Sequence, residues 1–154
     1  MLNNIVKETN RCLQCRNPFC QVGCPINTPI KEVIGLLKEN KINEAGEMLF
    51  KNNPLSAITG LICPHEEFCE GHCILNKKGN PIHFGSIEHY VSNYYLNNLN
   101  FKPGINPEKK VAIIGSGPAG LTMAIILARK GYDITIFEAH DKIGGVLRHG
   151  IPDF

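Results

Sequence analysis

The sequence predicts an α+α/β chain, in which a small all-helical N-terminal domain is followed by the first β-α-β unit of an α/β domain. Three observations predict it. All seven cysteines lie between Cys12 and Cys73, and the remainder of the chain has none. Apolar residues in the first part recur at helical spacing, three and four apart. Later, a glycine-rich turn stands between an apolar strand-like run and an apolar helix-like run.

Composition bounds the rest. The chain has 154 residues, 43% hydrophobic and 19% charged, which suits one ordinary domain or two small ones and excludes disorder. Its formal net charge is +2 with scattered basic residues, so no nucleic-acid surface is expected. MLNNIVKETN lacks a basic segment followed by an apolar run, so a cytoplasmic, reducing setting is expected and disulfides are not. The longest apolar stretch, MAIILA at 123–128, is far short of the roughly 18 residues of a membrane span.

In chain order, TPIKEVIGLLKEN predicts a helix opened by Thr28 before Pro29, with Ile30, Val33, Ile34 and Leu37 on one face. INEAGEMLFKNNP predicts a second, stopped by Asn53 and Pro54. A third is expected after Ser86 in SIEHYVSNYYLNNL, where Ile87, Val91, Tyr94 and Tyr95 form a core-facing stripe. FKPGINPEKK, residues 101–110, carries two prolines and a glycine. It separates a helical domain over 1–103 from a second unit over 111–154, with 104–110 as linker. In the second unit KKVAIIGSG reads as a strand entering a turn, PAGLTMAIILARKG as a helix ending at Gly131, and YDITIFEA as a second strand.

The cysteines form C-x2-C-x4-C-x3-C-P (Cys12, Cys15, Cys20, Cys24, Pro25) and C-P-x4-C-x3-C (Cys63, Cys69, Cys73). Bacterial ferredoxins use a similar run, in which the fourth cysteine ligates the other iron-sulfur cluster. By that logic Cys12, Cys15 and Cys20 hold one cluster and Cys24 reaches a second. Structural zinc is the alternative, but it draws close-spaced ligand pairs, and only Cys12 and Cys15 form one. His65, His72, His83 and His89 are the histidines available to a zinc site. That alternative makes the chain a zinc-stabilised helical interaction module with a non-catalytic nucleotide-binding fold.

VAIIGSGPAGLTMA contains G-x-G-x-x-G at Gly115, Gly117 and Gly120, with Ser116, Pro118 and Ala119 between them. The first glycine permits the tight turn, the second lets a pyrophosphate approach the backbone, and the third permits close helix-strand packing. Glu138, eighteen residues past Gly120 at the end of the second strand, suits a ribose hydroxyl of FAD or NAD. Gly144 and Gly145 let backbone approach the same dinucleotide. Two strands and one helix do not bury a doubly wound sheet, so this Rossmann-like domain is expected to be incomplete.

RCLQCRNPFCQVGCPINTPI, GLICPHEEFCEGHC, GNPIHFGSIEHY, VAIIGSGPAGL and EAHDKIGGVLRHGIPDF follow one another in an order that resembles a known family. It is that of the NADPH-dependent glutamate synthase small (beta) subunit and the N-terminal region of dihydropyrimidine dehydrogenase, and the likeness runs from about Asn10 to Phe154. The resemblance implies two [4Fe-4S] clusters, one on Cys12, Cys15, Cys20 and Cys73, the other on Cys24, Cys63, Cys69 and a non-cysteine side chain. It implies FAD on the loop Gly115–Gly120, on Glu138 and around Gly145 and Val146, with NADPH bound only in a longer parent. Electrons would pass between NADPH-reduced FAD and a large glutamine-handling or other acceptor subunit, and the chain alone would not oxidise NADPH.

Eight ligands against seven cysteines leave one place to fill. Glu88, in a G-x-I-E segment whose counterpart in the resembling proteins supplies an oxygen ligand, is the candidate, and His89 the runner-up. As an acidic residue expected in the first turn of a helix, Glu88 otherwise serves only the helix dipole.

Overall fold

A computed structural model describes residues 2–100 and 104–151. The start of the expected linker, 101–103, with the domain limit at 103, and the last three residues lie outside the described ones. The chain divides into two compact units between Leu99 and Asn100.

The first unit is helical: α1 (Leu2–Arg11), α2 (Phe19–Val22), α3 (Ile30–Lys38), α4 (Ile42–Asn52), α5 (Ser56–Ile62), a 3-10 turn over Ile74–Lys78, and α6 (Phe84–Asn98). The expected apolar stripes make its core. Val33, Ile34, Ala45, Leu49, Ile87 and Val91 are sealed from solvent, joined by Ile5, Ile30, Ile82, Phe84 and Cys69. Several expectations are corrected. Tyr94 is exposed, so the α6 stripe runs from Val91 and Ser92 to the half-buried Tyr95, whose ring meets Phe50. Thr28 does not cap α3, which opens at Ile30 after Pro29; its hydroxyl instead meets the Cys24 sulfur and donates to Asn52 Oδ1 at 3.1 Å. Helix α6 opens at Phe84, which puts Glu88 beyond the first turn and removes the dipole role considered for it.

Helix α5 reaches α6 through small and polar groups. A Cβ on Gly60 would stand 2.6 Å from the His89 backbone nitrogen, so only glycine lets the helices approach this closely. Ser92 Oγ donates to Ser56 Oγ across the contact at 2.8 Å, leaving neither buried hydroxyl unpaired.

The second unit holds β1 (Asn106–Ile114), α7 (Pro118–Arg129), β2 (Tyr132–Phe137) and α8 (Val146–His149). The strands pair in parallel, from Lys110 against Asp133 to Ile114 against Phe137. Residues 106–110, expected as linker, extend β1: Asn106 pairs with Tyr132, and the register shifts between Asn106 and Lys110. No described apolar side chain of this unit is buried, and Ile114 and Phe137 are largely exposed. No helix among the described residues is long and apolar enough to cross a membrane.

Candidate functional site

None of the seven cysteines is in a disulfide. Loops position them, held by local backbone hydrogen bonds around short turns. Cys12 follows the last turn of α1, Cys20 lies in α2, and Gly23 and Cys24 close that turn through hydrogen bonds to Phe19 and Gln21 carbonyls. In the second run the Cys63 N–H donates to Thr59 O, and the His65 carbonyl accepts the amides of Phe68, Glu70 and Gly71.

The thiols face two cavities. One is lined by Cys12, Cys15, Cys20 and Cys73 with Phe19 and Ile34. The other is lined by Cys24, Cys63 and Glu88 with Thr59 and His65. Cys69, Ile30 and Phe84 line both and form the wall between them. Burial pushes the Cys69 thiol far above the ordinary range, and the charges acting on it, those of Glu70, Cys24, Glu88 and Cys63, push it further. Burial likewise lifts Cys20 to about 11, and the charges acting on it are those of Cys73, Cys12 and Cys15. Cys63 is raised by burial, then by Glu88 and Cys24. Glu88, 6% exposed on α6, is raised by burial to about 7, with a hydrogen bond to Thr59 opposing the rise. No ion pair compensates Glu88 among the described residues.

Half-buried sulfurs, the buried Cys69 and a buried carboxylate facing apolar hollows are a donor set that wants a cationic partner. A single zinc does not fit them. Tetrahedral zinc with Zn–S near 2.3 Å brings its sulfurs to about 3.8 Å of one another, and among the described residues no three metal-ligating side chains stand close enough to share one ion. A multi-iron cluster, which keeps its thiolates apart around a core, fits the open arrangement. Surrounding groups already address the sulfurs: Gln14 Nε2 lies 3.8 Å from Cys12 Sγ, and Cys24 Sγ 3.3 Å from Thr28 Oγ1. Gln14, Thr28 and Thr59 were not anticipated as part of the site, and His65 only as one of four histidines available to zinc; isolated polar residues carry no periodic signal.

The glycine-rich turn has the anticipated geometry. Gly115 has φ +91°, and a Cβ on Gly120 would lie 2.1 Å from Gly115 O, so both positions require glycine. Where Gly117 lacks a Cβ the space is open, as a pyrophosphate cradle requires, and α7 begins there with Pro118 at its first position and Ala119 next. Glu138 already holds this turn: its Oε2 accepts the Ser116 amide at 2.9 Å and the Ser116 hydroxyl, and its Oε1 accepts the His140 amide at 3.0 Å. Those bonds, the Ser116 hydroxyl foremost, lower its carboxyl to about 2. The buried Ser116 Oγ also accepts the Gly144 amide at 3.1 Å, and a Cβ on Gly145 would stand 3.1 Å from Gly117 Cα, ahead of the exposed Val146.

Comparison with known proteins agrees with this division. Residues 2–99 match the family model described as "Dihydropyrimidine dehydrogenase domain II, 4Fe-4S cluster", and residues 113–150 match "NAD(P)-binding Rossmann-like domain". Over 155 residues the chain is 39% identical to the glutamate synthase [NADPH] small chain of Escherichia coli (strain K12), covering 96% of this chain and 32% of that one. Identity to the glutamate synthase [NADPH] small chain of Azospirillum brasilense is 37%, again over 96% and 32%. It is 36% to the NAD-dependent dihydropyrimidine dehydrogenase subunit PreT of Escherichia coli (strain K12), over 97% and 37%. The chain thus spans about a third of the length of these curated relatives.

Proposed function

Because the chain belongs to the dihydropyrimidine dehydrogenase domain II, 4Fe-4S cluster family through residues 2–99, we propose that it is the electron-transfer part of a flavin and iron-sulfur oxidoreductase. In this reading it works between a nicotinamide-reduced FAD and a larger partner subunit, in the cytoplasm. The relatives' names favour a glutamate synthase small chain as the parent.

The observation that carries the reading is the sorting of eight donors around two adjoining cavities. Cys12, Cys15, Cys20 and Cys73 hold the first [4Fe-4S] group; Cys24, Cys63, Cys69 and Glu88 hold the second. When bound, the clusters supply one-electron transfer and the flavin exchanges hydride for single electrons. The protein's own part is to hold and insulate: Ile34 and Phe84 wall the sulfurs with apolar carbon, Gln14 directs an N–H at the Cys12 sulfur, and the Thr28 hydroxyl lies against the sulfur of Cys24. The metal-binding domain lies within residues 1–103, and the unit after it binds the adenosine and pyrophosphate of FAD through Gly115–Gly120, Glu138, Gly145 and Val146. There the amides at the start of α7 would hold the phosphates, and the Glu138 carboxylate would accept from a ribose hydroxyl.

Anaerobic reconstitution with iron and sulfide tests this. Two paramagnetic species on reduction, with iron and sulfide for two four-iron groups, is the expected result. Colourless protein that takes up stoichiometric zinc and no iron-sulfur group would overturn it.

A further inference from the structure

One buried polar atom of the first unit is unaccounted for. His65 Nε2 is sealed from solvent and is the one buried side-chain nitrogen or oxygen, among the described residues, without a hydrogen-bond partner. It belongs to a ring whose position is fixed from both sides. Its own carbonyl is anchored by three amides of the loop, at 3.1 Å from Phe68, 2.9 Å from Glu70 and 3.3 Å from Gly71. Its ring lies over Gly85 of α6, where a Cβ would come within 2.4 Å of Cε1 and 2.6 Å of Nε2. Glu70 holds that turn of α6 in place, its Oε1 accepting the Gly85 amide at 3.0 Å. The ring lines the cavity of Cys24, Cys63, Cys69 and Glu88 on one side and an outer hollow containing Glu70, His83 and His89 on the other.

A buried imidazole nitrogen placed so firmly and left without a partner is a group waiting for one. Sulfur at a metal centre accepts N–H donors, and such bonds stabilise the more negative, reduced state. We propose that His65 donates an Nε2–H hydrogen bond to a sulfur of the iron-sulfur group held by Cys24, Cys63, Cys69 and Glu88 and so sets that group's potential. The inference rests on the metal-binding reading above and makes His65 a positioning and tuning residue, not a ligand. Gly85 has a matching role: its missing side chain is the space the ring occupies.

The test uses the intact chain, reconstituted with iron and sulfide without oxygen, as wild type, His65→Leu, His65→Gln and Gly85→Ala. Iron content, the potential of each group, and the magnetic coupling of the reduced second group to exchangeable protons in heavy water are measured, with isotope-labelled histidine identifying the donor. In the wild type a solvent-exchangeable proton on a histidine nitrogen is expected to couple to the second group. His65→Leu loses that coupling and shifts only the second group's potential downward. His65→Gln, which keeps an N–H, recovers part of the shift, and Gly85→Ala moves the potential in the same direction as His65→Leu. If His65→Leu fails to load, the wild-type coupling and Gly85→Ala decide. Both groups present in the wild type without that coupling, or an unchanged potential in His65→Leu, overturns the inference alone. A direct iron-nitrogen coupling also overturns it, by making His65 a ligand. Wild-type protein that binds no second group overturns the metal-binding reading and this inference with it.

Discussion

Ile34→Ala compared with Leu49→Ala separates packing that serves the fold from packing that serves the metal site. Both side chains are 1% exposed and both belong to the one core of the helical unit. Ile34 also lines the cavity of Cys12, Cys15, Cys20 and Cys73, whereas Leu49 lines neither thiol cavity. Each truncation removes three buried carbons, about 2.4 kcal/mol at about 0.8 kcal/mol per group, and the residual hole brings the cost to roughly 3 kcal/mol. For a unit of 99 residues, Met1–Leu99, that lowers the melting temperature by about 12–24 °C. Circular dichroism of iron-loaded protein reads this, and the two variants should fall together. Iron release to a chelator should part them. Ile34 faces the core on one side and the thiols on the other, so about half its loss, roughly 1.5 kcal/mol, falls on the bound first group and speeds release by somewhat more than tenfold. Leu49→Ala should leave release near the wild-type rate well below its melting point. Equal release from both variants would refute the reasoning, as would a cost below about 1 kcal/mol for Leu49→Ala.

Glu88→Ala should lose about half the iron and one of the two reduced signals while sparing the group on Cys12, Cys15, Cys20 and Cys73; retention of all iron with both signals unchanged would make Glu88 a packing residue only. Removing iron under reducing conditions should collapse the helical circular dichroism of the first unit, because loops such as NPFCQVG and PHEEFCEG bury little of their own to offset their ordering entropy. Glu138, held at about 2 in the folded chain against an ordinary 4.5, contributes stability that is complete above about pH 4.5 and disappears as pH falls toward about 2. Titration of the Ser116 amide resonance should show the second unit loosening in that window, and Glu138→Gln should abolish the dependence. Gly120→Ala, whose Cβ would meet Gly115 O at 2.1 Å, should abolish dinucleotide binding by the intact parent while the iron-sulfur signals persist.

Helices α3, α4 and α6 were legible because each carries its burial as a periodic apolar pattern, and Val33, Ile34, Ile87 and Val91 mark it at positions sealed from solvent; β1-α7-β2 was legible from the glycine-rich turn between its apolar runs. Helix α1 was not, because polar ties hold it: Arg11 pairs with Glu8 at 2.7 Å and reaches Asn80 O, while Glu8 accepts the His83 amide at 3.2 Å. Helix α5 was hidden for a related reason. It is seven residues long, set up by Asn53 Oδ1 accepting the Leu55 amide, and docked by Gly60 and Ser56 instead of an apolar stripe. At the candidate site the cysteines and Glu88 stood out by residue type, spacing and family likeness. His65 stood out only as one of four candidate histidines, since what separates it from the others is an unpaired nitrogen and a glycine twenty residues away in sequence, and neither fact exists before the chain folds.

The wall of Cys69, Ile30 and Phe84 between the two cavities means that two bound redox groups would be neighbours across a single layer of side chains. Charge placed on one is then felt by the other through a medium that screens poorly. The first electron to arrive makes the second harder to add, so a reductive titration should spread over a wider span than two independent centres give. The chain would therefore behave as a conduit that prefers to hold one electron at a time and hands it on before accepting the next, a property of how thin that partition is.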